Sequence, residues 1–405
     1  MHGMDADVII IGGGPAGMMA GLLFARAGID TLVLEKHGDF LRDFRGDTVH
    51  PSTMEILDQL GLLDRFLQRP HTKLREARGT IAGQEMRIGD FRHLKTPAPF
   101  IAIMPQWDFL DFLSDEADAY SAFRLRRHTA VSQLVEQHGR VMGVELTDGS
   151  MLRARKLVIA ADGRGSIVRS KGWLTVQSLA APIDVFWFRV PKADDGGEAL
   201  RGIVAPGVLM ALIDRGDYWQ CAYVFRKGMG AQLQAEGIDA LRARIANAAP
   251  ILGPLNAVLT DMDQMHLLTV TLDRLVHWHR PGLLAIGDAA HAMSPVGGIG
   301  INLAIQDAVA AANILAAPMV AGQAVDPLLA RVEQRRALPT RWVQRGQQVA
   351  QDRIIGAVLR PGAAFTAPPW PVRLLNRFAL LRRIPGRLIG LGVRRERVQS
   401  PRAGP

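Results

Sequence analysis

The segment "ADVIIIGGGPAGMMAGLLFARAGIDTLVLEK", residues 6–36, leaves little choice about how this chain begins. Val8 to Ile11 form a continuous apolar run, as a strand buried on both faces of a parallel sheet requires. Gly12, Gly14 and Gly17 follow at G-x-G-x-x-G spacing, with Pro15 and Ala16 opening a helix. The first glycine permits the turn, the second lets backbone approach a pyrophosphate, and the third lets helix and strand pack closely. The helix start then offers free amides and a positive dipole end to phosphate. A second strand, "DTLVLEK", ends at Glu35 and Lys36. Glu35 stands 23 residues after Gly12, where an acidic side chain accepts hydrogen bonds from a ribose hydroxyl. A carboxylate there repels a 2′-phosphate, which disfavours NADP and leaves FAD and NAD open.

A second glycine turn lies far downstream, in "GDAAHAMSPVGGIGIN", residues 287–302. Leu283 to Ile286 form a short apolar strand that delivers Gly287 and Asp288 at its C-terminal end, where parallel sheets bind ligands. Beyond Pro295, Gly297, Gly298 and Gly300 place bare amides at the start of a helix that includes Ile301, Asn302 and Asp307. Between the two turns, "LVIAADGRGSIVR" runs from an apolar strand into Asp162 and Gly163, with Ser166 and Arg169 following.

These three segments, in this order, resemble the signatures of the FAD-dependent aromatic hydroxylases, the class A flavoprotein monooxygenases typified by para-hydroxybenzoate hydroxylase. The resemblance spans roughly residues 5–320. It implies that both glycine turns hold one FAD: Gly12 to Lys36 at the nucleotide end, Asp288 on the ribityl chain, and Pro295, Gly298, Gly300, Ile301 and Asn302 along the isoalloxazine. It implies that Asp162 and Gly163 support the FAD fold and nicotinamide use. Arg45 in "FRGDTVHPSTMEIL" and Gln106 in "MPQWDFLDFL" resemble two further FAD contacts, although either residue type also serves as a cap or surface group.

The activity implied is hydroxylation of an aromatic or conjugated small molecule: NADH or NADPH reduces the flavin, O2 adds to form the C4a hydroperoxide, and oxygen passes to the substrate. No second fingerprint for the nicotinamide is present, and the family needs none. The missing Cys-x-x-x-x-Cys argues against reductases of the glutathione reductase type, and the missing G-W-x-W-x-I-P against flavin halogenases. Two other readings stay open, a reductase or dehydrogenase of the prenyl-lipid type and a FAD-binding partner protein without turnover. Asp47 and His50, just after Arg45, are candidate bases, and Pro295 is the third candidate at the reacting ring.

The expected architecture is α/β: a discontinuous Rossmann-like FAD-binding domain (1–72, 101–180 and 274–322), an inserted, mostly antiparallel β-sheet substrate domain (73–100 and 181–273), and a C-terminal helical region with a basic tail (323–405). "DVFWFRVP", "GVLMALID" and "DYWQCAYVFR" read as strands of the insert, and 238–249 as a helix covering it. Strand alternation allows Tyr218 with Gln220, or Trp219 with Cys221, to line a pocket, and Trp187 and Tyr223 are further substrate candidates. His277 and His279 lack a third ligand at recognisable spacing, so no metal is expected.

Composition narrows the partners. The net charge is +9, but no basic run interleaved with aromatics precedes the C-terminus, which disfavours nucleic acid. A single cysteine and an N-terminus with Asp5 and Asp7 instead of basic residues fit a cytoplasmic protein, as a monomer or homodimer. In "PVRLLNRFALLRRIPGRLIGLGVRRERV" arginines alternate with apolar clusters at near-helical spacing. That pattern suits either an anchor on an anionic membrane or, as the preferred reading, packing of its apolar side on the FAD domain with the arginines in water.

Overall fold

The computed structural model describes residues 5–41, 48–192, 200–295, 297–359 and 367–403. The first strand, Ala6–Ile11, lies at the centre of an eight-stranded sheet, parallel to Met151–Ala160 on one side and Thr31–Leu34 on the other. Leu283–Ala285 and Phe123–Arg126 extend the parallel set outward. Alternate side chains of the apolar run serve two layers. Val8 and Ile10 pack with the helices Pro15–Arg26 and Gly300–Val320, while Ile9 and Ile11 pack with Leu134, Val141 and Trp278. Burial on both faces is why the run Val8 to Ile11 carries no polar residue.

The helix Gly300–Val320 is long and apolar enough, by length and composition, to cross a membrane. Here it is a core element, packed between the helices Pro15–Arg26 and Leu329–Ala350.

A second, seven-stranded sheet runs in the order His266–Leu268, Ile183–Pro191, Tyr218–Arg226, Val208–Asp214, Leu200–Ala205, Glu76–Ile81, Gln84–Asp90. Its pairings are antiparallel except that of Leu200–Ala205 with Glu76–Ile81. Helix Gly230–Ala248, longer than the stretch read from sequence and interrupted at Gly237, covers one face, over Phe186, Phe188, Trp219, Cys221 and Tyr223. The other face carries Val185, Trp187 and Ala222 against Ile355, Val358 and Leu359.

The C-terminal segment 392–403 lies along the helices of the first sheet. Arg335 pairs with Glu396 (2.7 Å), the Val398 amide donates to Gln59 (2.7 Å) and the Ala403 amide to the Arg26 carbonyl (2.8 Å).

Candidate functional site

Strand register brings the distant sequence signals together. Ile11 is level with both Leu34 and Ala160, and Ala160 with Ala285. Gly12, Glu35, Asp162 and Asp288 therefore emerge at one edge, the C-terminal ends of adjacent parallel strands, where ligands of such sheets bind. The ladder continues past the strands through Gly12 N–H to Leu34 O (2.7 Å), Ala161 N–H to Ile11 O (2.8 Å) and Ile286 N–H to Ala160 O (3.0 Å).

Each fingerprint glycine has a separate steric cause. Gly12 has φ +100°, and a Cβ there would lie 2.6 Å from the Ala161 carbonyl oxygen. A Cβ on Gly17 would lie 1.9 Å from the Gly12 oxygen, so only glycine lets the helix sit this close. Gly14 differs: its Cβ would meet nothing nearer than 4.0 Å. The space over Gly14 is an open cradle at the helix start, as a bound pyrophosphate needs. Pro15 and Ala16 form the first turn of that helix.

Glu35 is buried and held by two backbone donors, Gly13 N–H (2.9 Å) and His37 N–H (3.0 Å). Those bonds orient it beside the turn, while Lys36 is exposed. Gln106 opens the helix Gln106–Asp118 with its Oε1 buried and without a partner among the described residues. Asp162 accepts from Ile167 N–H (2.9 Å) through Oδ2, leaving Oδ1 buried and without a partner among the described residues. Burial raises its pKa against the opposing bonds from Ser166 and Ile167. Next to it Gly163 turns with φ +79°. The open cradle and the two orphan acceptors fit a dinucleotide with hydroxyl and amino donors.

The second glycine turn is tied to all its neighbours. Gly287 N–H donates to Asp307 Oδ2 (3.1 Å), and Asp288 Oδ2 accepts from Arg164 Nε (3.1 Å). Arg164 also donates to the Met293 carbonyl (2.8 Å), and Arg169 pairs with Asp273. Asn302 Oδ1 accepts from His50 N–H (2.9 Å) and Thr53 Oγ1 (2.7 Å), while its Nδ2 donates to the carbonyls of Thr48 and Gly298 (both 3.3 Å). Thr48 Oγ1 completes the clasp on Gly298 O (3.0 Å). The amides of Gly300, Ile301 and Asn302 form the open first turn of the long helix, and Pro295 precedes that turn.

His50 is fully buried, its Nδ1 2.8 Å from the Ile389 carbonyl, to which it donates. Burial lowers its pKa to about 4, so the ring is neutral at physiological pH and a weak proton acceptor. Arg45 and Asp47 lie outside the described residues. His277 and His279 flank Glu333 at 3.7 and 3.5 Å, and Glu333 also accepts from Trp278 N–H.

Sequence reading overlooked a buried charge network behind the turn. His291 Nε2 lies 2.6 Å from Asp307 Oδ2, Arg336 Nε lies 2.8 Å from Asp307 Oδ1, and Arg336 reaches Glu396 at 3.2 Å. Burial alone would raise the Asp307 pKa, but His291 and Arg336 together lower it. Arg336 sits on a helix with no motif of its own, and only its apolar neighbours' spacing hinted at an inward face.

On the second sheet, cross-strand pairs Trp187 with Ala222 and Arg189 with Gln220 set one face. Tyr218 and Gln220 lie on it, with Arg189 5.1 Å over the Tyr218 ring. Gln220 Oε1 accepts from Arg215 (2.9 and 2.8 Å), leaving Nε2 buried without a partner among the described residues. Tyr223 falls on the opposite face, against Phe186 and Phe225 under the helix Gly230–Ala248. Tyr223, the further substrate candidate, is thus across the sheet from Tyr218 and Gln220, since strand alternation puts residues 220 and 223 on different sides. Hollows of about 260 and 370 Å3 beside that helix lie on the Tyr223 side and contain none of the candidate residues.

The chain is similar to known proteins. A family model described as "FAD binding domain" matches residues 5–346. The chain is 32% identical over 382 residues, 91% of its own length and 90% of the other, to 6-methylpretetramide 4-monooxygenase of Streptomyces rimosus. The structure of OxyS anhydrotetracycline hydroxylase, also from Streptomyces rimosus, has a TM-score of 0.73 at 26% identity, covering 99% of this chain and 78% of that one. PqsL, a probable FAD-dependent monooxygenase from Pseudomonas aeruginosa, has a TM-score of 0.73 at 22% identity, covering 88% and 97%, a likeness of fold.

Proposed function

Since the chain belongs to the FAD-dependent aromatic hydroxylase family and is a FAD-dependent monooxygenase, we propose that it uses NADH or NADPH and O2 to hydroxylate a fused aromatic ring system. The observation that carries the reading is the convergence of the Gly14 cradle, Glu35, Asp162 and Asp288 on one sheet edge. FAD bound there supplies the redox chemistry and activates O2. The names of the two Streptomyces rimosus relatives support a polycyclic substrate.

Within this proposal the protein's own groups bind and orient. Gly14 and the first turn after Pro15 and Ala16 receive the pyrophosphate, Glu35 the ribose, Gln106 and Asp162 the donors of the nucleotide, and Asp288 the ribityl chain. Gly298, Gly300, Ile301 and Asn302, with Pro295, form the bed for the flavin ring. The Asn302 clasp on Thr48 and His50 makes that bed rigid before the ring arrives, which is what a positioning shell must do. His50, pinned and neutral, positions the bed and does not carry protons.

Trp187, Ala211 and Ile213 give the substrate an apolar wall, and Gln220 Nε2 offers a donor to a ring carbonyl or hydroxyl. Excluding water there favours hydroxylation over release of hydrogen peroxide. The test is purified flavin-loaded protein, NADH or NADPH, and a panel of polycyclic and monocyclic phenols under 18O2. Substrate-stimulated NAD(P)H oxidation with 18O in a polycyclic product is expected. Oxidation of NAD(P)H that yields only peroxide with every ring system sinks the substrate class.

A further inference from the structure

Two C-terminal helices, Trp370–Arg377 and Arg383–Leu391, both pack on the edge strand Gln84–Asp90 of the second sheet. The second is pressed tightly: a Cβ on Gly386 would come within 2.0 Å of the Asp90 oxygen. Arg382, just before it, is buried and lies 3.6 Å from Glu76. On the first, Asn376 accepts from the Arg87 amide (3.1 Å).

Their outer sides combine large exposed apolar side chains with arginines. Trp370, Arg373, Leu374 and Arg377 recur at the spacing of one helical face, followed by Phe378, and all are exposed. On the second helix Arg383 with Arg387, and Ile384 with Leu388, form two adjacent exposed rows. Trp370 is 70% exposed, Leu380 68%, Ile384 59% and Leu388 55%. Residues 367–395 contain seven arginines and no aspartate or glutamate. Among the described residues Arg373, Arg377, Arg383 and Arg387 have no acidic partner.

We propose that this pair of helices is a docking face for an anionic phospholipid surface. Large apolar side chains held in water cost free energy that insertion among acyl chains recovers, and the flanking guanidinium groups match lipid phosphates. An acid-free arginine field selects a negative partner, and the interleaved Trp370, Leu380 and Ile384 select one with an apolar interior. Nucleic acid satisfies only the first requirement. The inner side of the second helix joins Ile389 and Leu391 to Ile101, Ile103, Leu200 and Ile213, so the docked face is one helix away from the substrate sheet.

The experiment sediments flavin-loaded protein with vesicles of phosphatidylcholine alone or mixed with phosphatidylglycerol, at low and high salt. Binding only to the mixed vesicles, lost at high salt, is expected. Arg373→Gln with Arg377→Gln is expected to weaken it roughly 30-fold, and Leu380→Ser with Ile384→Ser about tenfold or more, with flavin content unchanged. Failure of the wild type to sediment with mixed vesicles overturns the proposal. So does loss on the arginine substitutions with full binding by the apolar variant, which marks a purely ionic contact. A dimer that the apolar substitutions split into monomers, seen by light scattering, also overturns it, since a second copy then covers the face.

Discussion

Arg164 Nε lies 3.1 Å from Asp288 Oδ2, so an arginine of the Asp-Gly segment holds the proposed ribityl-binding residue 124 positions later. The same guanidinium donates to Met293 O and thereby braces the turn that follows. Both side chains are about one third exposed, so the ion pair itself adds no more than about 1 kcal/mol to folding. Its effect is orientation. Asp288→Ala is expected to raise the FAD Kd roughly 10- to 150-fold, the worth of hydrogen bonds to a charged group. Arg164→Met should raise it less, and neither should much shift apoprotein unfolding. Fluorescence titration of apoprotein with FAD reads the first quantity, urea denaturation the second.

The glycines separate folding from binding. Gly17→Ala drives a Cβ into the Gly12 carbonyl and should cost about 3 kcal/mol or more. Gly14→Ala, with φ −75° and open space before its Cβ, should change apoprotein stability by less than about 0.5 kcal/mol. It should nonetheless abolish flavin retention, measured by the flavin-to-protein absorbance ratio. Retained flavin in Gly14→Ala would place the pyrophosphate elsewhere.

The buried ring of His50 makes stability depend on pH. Its pKa is about 4 when folded and near 6.5 when unfolded, so the unfolded chain binds the extra proton between those values. The stability tied to neutral His50 is complete above pH 6.5 and is lost as pH falls towards 4, by up to about 1.4 kcal/mol per pH unit. Replacing it by Gln, which keeps a donor for the Ile389 carbonyl, should flatten that slope in denaturation curves taken from pH 7 to 4.5. An unchanged slope would remove the assignment.

Behind the turn, Arg336 and Asp307 are both fully buried. Arg336→Met takes the guanidinium from Asp307, leaving that buried carboxylate to His291 and the Gly287 amide, and should cost about 3–5 kcal/mol. Adding Asp307→Leu should recover part of the loss, because the uncompensated charge is gone. His291 and Arg336 lower the Asp307 pKa, so its contribution is present above the normal carboxylate range and disappears only in stronger acid. Calorimetry of the two variants at pH 7 and pH 4 separates these effects.

Local pattern carried the sequence reading where covalent neighbours decide the physics. The turn at Gly12, the helix from Pro15, the strand ending at Glu35 and the run into Gly287 each follow from steric and hydrophobic rules over a few residues. Alternation likewise specified that Tyr218 shares a face with Gln220. The same rule, carried one step further, excludes Tyr223, but only the pairing of Arg189 with Gln220 and the helix over Phe186 reveal which face is which.

What the amino-acid order determined by itself, then, was the set of glycine turns and the strands that present them. Tertiary structure alone decided their partners: Arg164 on Asp288, Asn302 on His50, Arg336 on Asp307, and the seating of 392–403 against Arg26 and Gln59. These contacts join residues from 29 to more than 300 positions apart. Such separations carry no periodic signal, because strand order and register set them, and those are properties of the folded sheet rather than of any window of sequence.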